Sequence, residues 1–287
     1  MNISVAICTY NGEKFLRQQL DSILLQTVCV DEVIICDDLS TDSTIEILHA
    51  YKNKYPGLIK IFINEKTLKT VKNFEKAIAL TTGDIIFLAD QDDIWCLDKV
   101  EIMQRFFYEN KNCKLLFSDA KLIDEEGGDL DAMLWDKWGF TEEIQNKWKN
   151  NKNAFKDLIA NCNKITGATV CFHNSLKSFI LPIELPEGYW HDAWLGLHAS
   201  AQQGLMFTSQ SLISYRIHEN QQVGISRIIN EDSYFKSIKK YIFVIIFFKK
   251  LIKIYPNEKG NLPILETKNI LIKLLKKLKK KFRSILN

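Results

Sequence analysis

Ile85-Ile86-Phe87-Leu88-Ala89-Asp90-Gln91-Asp92-Asp93-Ile94-Trp95 decides how the rest of the chain is read. Its first five residues are an unbroken apolar run that follows Gly83-Asp84. A short run of this kind, apolar on both faces, predicts a buried strand of a parallel sheet. The run stops at three carboxylates within four positions. Like charges packed this closely repel one another unless a cation sits among them. Hard oxygen donors suit Mg²⁺ or Mn²⁺, which often keep one or two protein carboxylates and take phosphate oxygens for the rest. Ligands of open α/β sheets bind beyond the carboxyl ends of the strands. The stretch therefore predicts a divalent cation that carries a phosphorylated substrate. The plainer alternative is a solvated acidic turn.

Upstream, strands alternate with amphipathic helices. Residues 3–9 read as a strand that ends at the Thr9-Tyr10-Asn11-Gly12 turn. Phe15, Leu16, Leu20, Ile23 and Leu24 mark one helix face. Residues 33–36 read as a second buried strand ending at Asp37-Asp38-Leu39-Ser40-Thr41-Asp42, where Ser40 or Asp42 can cap the next helix. That helix has Ile45, Leu48 and Tyr51 on its inner side. Residues 59–63 read as a third strand, and Val71, Phe74, Ala77 and Ile78 as a third helix. The alternation predicts a parallel sheet with right-handed crossovers. Thr9, Asp37-Asp38 and Asp90-Gln91-Asp92 then rim one crevice. No Gly-x-Gly-x-x-Gly follows the first strand and no Gly-Lys-Ser/Thr occurs, so a metal rather than a glycine cradle is expected to hold the phosphates.

Downstream, residues 97–108 read as a helix and 114–123 as a strand with Ser118-Asp119 at its polar centre. Residues 129–163, with Trp135, Trp138 and Trp148, read as helical. A strand is expected over 165–172, a helix starting near Asp192, and a β-rich stretch over 205–216. Asp119 and Gly167 fit a strand and a tight turn as well as they fit sugar contacts. His49, His173 and His198 are read as structural, and Trp95 as packing beneath the acidic turn.

With 287 residues, 46% of them hydrophobic and 25% charged, the chain can form one large α/β domain with an appendage. The seven cysteines show no metal-type pair spacing, and Cys8, Cys36 and Cys171 lie inside apolar segments. They read as reduced thiols of a cytosolic protein. No secretory signal is expected. The apolar run 241–248 falls far short of the ~20 residues that span a bilayer. A net charge of +3 hides an asymmetry: from Lys236 onward there are fifteen lysines and arginines against Glu258 and Glu266, and the remainder is acidic. That argues against nucleic acid as a partner and for a surface-binding appendage. Over 264–285, Leu271, Leu274, Leu275, Leu278, Phe282 and Ile285 keep helical spacing, with seven basic residues from Lys273 to Arg283 among them, as in a helix lying on an anionic membrane surface. The expected division is a catalytic domain over 1–228 and a helical, basic amphipathic appendage over 229–287.

Five signals occur in order: Thr9-Tyr10-Asn11, Asp37-Asp38-x-Ser40-x-Asp42, Asp90-Gln91-Asp92-Asp93-Ile94-Trp95, His191-Asp192, and Tyr215-Arg216-x-His218-x-Asn220. Together they resemble the family 2 glycosyltransferases of GT-A fold, above all the bacterial polysaccharide and O-antigen subgroup of rhamnosyl-, glucosyl- and galactosyltransferases. The resemblance covers about residues 3–225. It implies an α/β fold with a mostly parallel sheet flanked by helices. It also implies an inverting transfer from a nucleotide-diphospho-sugar, a UDP- or dTDP-sugar, with Mg²⁺ or Mn²⁺. The implied acceptor is a lipid-linked surface glycan at the inner face of the cell membrane. Carried over residue by residue, Asp38 would hold the nucleobase or ribose with Thr9 and Tyr10 beside it. Asn11 and Gln91 would complete that set, Gln91 through its backbone. Asp90 and Asp92 would meet ribose and metal, with Asp93 as a supporting carboxylate or a ligand. His218 would reach the metal or the diphosphate, and Asp192 would be the base. Many members carry Glu before the base. Here His191 stands there and is expected to orient Asp192 or to lie exposed.

The chemistry fits these roles. Inversion needs one displacement, with a base within hydrogen-bond reach of the acceptor hydroxyl, opposite the leaving group. Charge developing on the leaving diphosphate is stabilised by a divalent cation. Two other functions compete: a sugar-nucleotidyltransferase, and a catalytically silent membrane-attached scaffold of a glycan assembly complex.

Overall fold

The computed structural model describes residues 1–160, 162–185, 189–219, 221, 251 and 253–255. Its contacts divide the chain into two compact units, one of Met1–Glu184 with Tyr189–Ile228 and one of Leu185–Gly188 with Ile229–Asn287. The expected amphipathic helix over 264–285, most of the apolar helix before it, Asn220 and Pro186-Glu187-Gly188 lie outside the described residues.

The first unit opens with β1 (Ile3–Thr9), α1 (Leu16–Leu24), β2 (Glu32–Asp37), α2 (Thr44–Lys54), β3 (Ile59–Ile63), α3 (Lys69–Leu80) and β4 (Ile85–Ala89). β5 (Ile94–Trp95), α4 (Lys99–Glu109), β6 (Leu115–Ile123) and β7 (Asp129–Met133) follow. Next come the helices α5 (Leu134–Trp138), α6 (Glu142–Trp148) and α7 (Asn151–Ile159). β8 (Val170–His173), α8 (Lys177–Ile180), α9 (His191–Ala201) and β9 (Leu205–Arg216) complete it. The strands form one sheet in the order β3-β2-β1-β4-β8-β6-β9-β5, with β7 on β6. β2, β1, β3 and β4 pair in parallel, as the alternation requires. The result is a mixed α/β fold with a mostly parallel, helix-flanked sheet.

Two local expectations are corrected. Residues 129–133 form a strand rather than a helix, pairing antiparallel with β6. Gly167–Thr169 form a 3-10 turn, so the expected strand begins only at Val170 and enters the sheet antiparallel to β4 and β6.

Every residue of β4 is fully buried. Burying each of Ile85, Ile86, Phe87 and Leu88 contributes about 1.5–3 kcal/mol. That sum fixes where the strand stops, and so where Asp90 begins. β1 and β2 run in register with it, Thr9 beside Asp37. Three polar strand ends therefore meet at one sheet edge.

Candidate active site

The first two strand ends are tied to each other. Thr9 Oγ1 donates to Asp37 Oδ2 at 2.7 Å, and Asp37 also accepts from Ser40 N at 2.9 Å and Ser40 Oγ at 2.6 Å. Asp37 is fully buried and serves the turn. Asp38 is engaged as well. Its carboxylate accepts from Asn64 Nδ2 at 2.8 Å, Leu68 N at 2.7 Å and Lys69 N at 2.9 Å. A carboxylate has about four lone-pair sites, so about one remains for a ligand. Asn11 adopts a left-handed φ of 49°, gives its N–H to Ser40 Oγ, and accepts Thr41 N on Oδ1 at 2.8 Å. Of the residues expected at the nucleotide, Thr9, Asn11 and Asp38 thus spend their polar groups on the loops that shape this edge. Tyr10 keeps an exposed ring.

Gln91 acts differently from expectation. Its side chain, not its backbone, is engaged: Oε1 accepts Tyr10 N at 2.8 Å and Nε2 donates to Tyr10 O at 3.0 Å. The amide clamps the β1 turn to the acidic turn. Gly12 makes room for it, because a Cβ there would lie 2.4 Å from Gln91 Oε1.

The acidic turn is held from beneath by β9. Arg216, 1% exposed, donates from Nε to Asp92 O at 2.8 Å, from Nη1 to Asp124 O and Glu125 O, and from Nη2 to Gln18 Oε1. Its backbone N–H goes to Asp93 Oδ1 at 3.0 Å. Asp93 is therefore an internal strut. Burial, with the Asp92 and Asp90 charges adding, pushes its carboxyl well above the usual range. His218 Nε2 lies 2.9 Å from Asp92 Oδ2, and the Phe15 ring supports both His218 at 4.9 Å and the Arg216 guanidinium at 4.7 Å. Burial, with the charges of Asp92 and Asp192 adding, pushes the Asp90 carboxyl up to about 7.

Asp192 enters from the far side, in the first turn of α9. Its Oδ1 accepts Ala193 N at 2.6 Å and Asn163 Nδ2 at 3.1 Å, and the Gly167 N–H also favours its charge. Burial outweighs these donors and pushes the carboxyl up to about 7. Tyr215 registers the convergence. After burial, the charges of Asp93, Asp90, Asp92 and Asp192 all act to keep its phenol protonated. Lys99, fully buried over the Trp95 ring at 4.3 Å, donates to Ala168 O at 2.9 Å and feels Asp93 and Asp90. Burial brings its ammonium down to about 7. His191 is not exposed and makes no hydrogen bond to Asp192: it is buried and stacked on Phe74.

The model of glycosyl transferase family 2 matches residues 4–160. This chain belongs to that family. Among its relatives, the dTDP-rhamnosyl transferase RfbG of Shigella flexneri is 38% identical over 112 residues, 37% of this chain and 39% of RfbG. The match thus spans about two fifths of that relative's length. Among solved structures, Staphylococcus aureus TarS 1–349 with UDP-GlcNAc superposes with a TM-score of 0.61 at 20% identity, covering 85% of this chain and 66% of TarS. The mannosyltransferase PcManGT of Pyrobaculum calidifontis, in complex with GDP-Man and Mn²⁺, gives 0.56 at 15% identity, over 88% of this chain and 64% of its own. At these identities the likeness is one of fold.

Within this family 2 chain, the donors for a metal can be tested directly. Among the described residues, no three His, Cys, Asp or Glu side chains form a ready-made cation cage. The Asp92–His218 pair is nonetheless a fitting half-shell. One carboxylate oxygen and one imidazole nitrogen lie side by side, and His218 is oriented by Phe15. Mg²⁺ and Mn²⁺ sites commonly combine few protein donors with phosphate oxygens. Asp90 lies near this pair and is not seen bonded to it. Sequence reading placed Arg216 in the late motif without a role, and it missed Lys99 and Asn163. Lys99 left one trace, an i, i+4, i+8 spacing with the buried Met103 and Phe107.

Proposed function

We propose that this chain is an inverting glycosyltransferase that moves one sugar from a UDP- or dTDP-linked donor to a hydroxyl of a lipid-linked surface glycan. The observation that supports the reading is electrostatic: the charge of Asp192 in α9 raises the carboxyl of Asp90, just past β4, and Tyr215 feels both together with Asp92. Asp192 takes the proton of the acceptor hydroxyl. Its carboxyl, raised to about 7, is matched to that task at neutral pH. The acceptor oxygen attacks the anomeric carbon, and the bond to the diphosphate breaks with its electron pair leaving on the nucleoside diphosphate. A divalent cation held by Asp92 and His218, with Asp90 beside them, would supply positive charge at the diphosphate. Arg216 keeps Asp92 and Asp93 in place through backbone bonds, and Gln91 fixes the Tyr10 turn that faces the nucleotide.

The dTDP donor is suggested by RfbG and the UDP donor by TarS. In this reading residues 1–228 form the catalytic domain. The basic stretch 229–287 attaches it to the inner face of the cell membrane, where a lipid-linked acceptor is found. Incubation with a panel of UDP- and dTDP-sugars plus Mn²⁺ or Mg²⁺ tests the activity. Release of nucleoside diphosphate is expected. Pyrophosphate formed from a nucleoside triphosphate and a sugar phosphate would point to nucleotidyl transfer instead.

A further inference from the structure

His191, the residue before the proposed base, is left unexplained by everything above. It is 6% exposed, its ring lies 4.2 Å from that of Phe74 at an interplanar angle of 18°, and neither Nδ1 nor Nε2 meets a hydrogen-bond partner. Burial pushes the imidazole down to about 4, so it is neutral at pH 7. A neutral imidazole offers one N–H and one lone pair, and a buried site seldom leaves both unmet.

Its placement is specific. A Cβ on Gly167 would lie 2.7 Å from Nε2, so only glycine lets the ring edge reach that turn. The N–H of the same Gly167 favours the Asp192 carboxylate. Phe74, on the other side, follows Asn73, whose Oδ1 accepts from Asn64 Nδ2. That amide also donates to Asp38. The imidazole is thus built into both the nucleotide-side loop and the turn that serves Asp192.

We infer that His191 reads a hydroxyl of the sugar being transferred, one ring nitrogen donating to it and the other free to accept. The inference rests on the transferase reading and adds a substrate-recognition residue to it. A hydroxyl of the acceptor has the same chemistry, and the test separates the two.

The full chain is compared with His191→Phe, which keeps the ring stack on Phe74 and removes both nitrogens, and with His191→Gln, which restores a donor and an acceptor. Nucleoside-diphosphate release is followed on the sugar nucleotide that the wild type turns over best, with and without acceptor. UDP and dTDP affinities are measured by calorimetry and folding by thermal melting. For His191→Phe, kcat/KM is expected to fall about tenfold or more, the effect of losing hydrogen bonds to a substrate hydroxyl. Acceptor-free hydrolysis should fall in parallel, nucleoside-diphosphate affinity and Tm should hold, and His191→Gln should recover part of the loss. Transfer that falls while hydrolysis holds would assign the hydroxyl to the acceptor and overturn the donor assignment. Unchanged turnover in His191→Phe, or a loss matched by equally weakened nucleoside-diphosphate binding, would overturn the role altogether. A wild type that releases nucleoside diphosphate from no sugar nucleotide fails the transferase reading itself; a wild type that turns over no faster than His191→Phe fails this inference alone.

Discussion

Asp192 shows how one residue ties stability to chemistry. Burial raises its carboxyl to about 7 in the folded chain, against about 3.9 for an unperturbed Asp. The native state therefore favours the protonated form. That contribution is complete below the unfolded value and is lost as pH rises through about 7. Asn cannot ionise, and its Oδ1 can keep the bonds from Ala193 N and Asn163 Nδ2. The Tm of Asp192→Asn minus that of the wild type should therefore grow between pH 5 and pH 8. A constant difference across that range would show that Asp192 titrates normally. At this scale the sequence was legible where a residue's type restricts its use. Asp92 and His218 stood out as an acid and a late histidine, and they meet at 2.9 Å. Gln91 and His191 were misread because a side chain's direction is set by tertiary neighbours. Gln91 turns back on Tyr10 from eighty-one residues away, and the ring of His191 lies on Phe74 of another helix.

Elements were legible wherever the apolar period was unambiguous. β1 to β4 and the helices between them follow their runs, and their parallel pairing follows from the crossovers. β8 was not legible as an antiparallel strand, because a short apolar run carries no direction. The Gly167–Thr169 turn was absorbed into that run, though its glycine is what Asp192 and His191 require. β7 was missed despite a visible signal: Asp129-Leu130-Asp131-Ala132 alternates with period two, and the tryptophans after it biased the reading toward helix. β9 does the most for the site. Its end carries Tyr215 and Arg216, and the residues just beyond it carry His218, under the acidic turn; that function comes from β5 and β6 being its neighbours rather than from any local pattern.

At the scale of the whole molecule, two properties remain to be joined: an acidic site on a curled sheet and a basic C-terminal stretch. The family match covers residues 4–160, and the basic stretch lies outside it. Among the described residues no helix is long and apolar enough to cross a membrane. Each Lys or Arg near an anionic leaflet contributes about 1 kcal/mol, and seven of them lie between Lys273 and Arg283. Removing 264–287 should abolish co-flotation with phosphatidylglycerol vesicles while leaving turnover of a water-soluble acceptor intact; unchanged flotation would place the attachment elsewhere. The central claim, that carboxylates gathered from separate elements form one site for inverting transfer, meets its most direct test in Asp192→Asn. Its rate of nucleoside-diphosphate release is compared with that of the wild type on the same sugar nucleotide, with UDP or dTDP binding measured alongside. Loss of a general base should slow turnover about 10²-fold or more while binding is kept. Near wild-type turnover by Asp192→Asn would contradict the account.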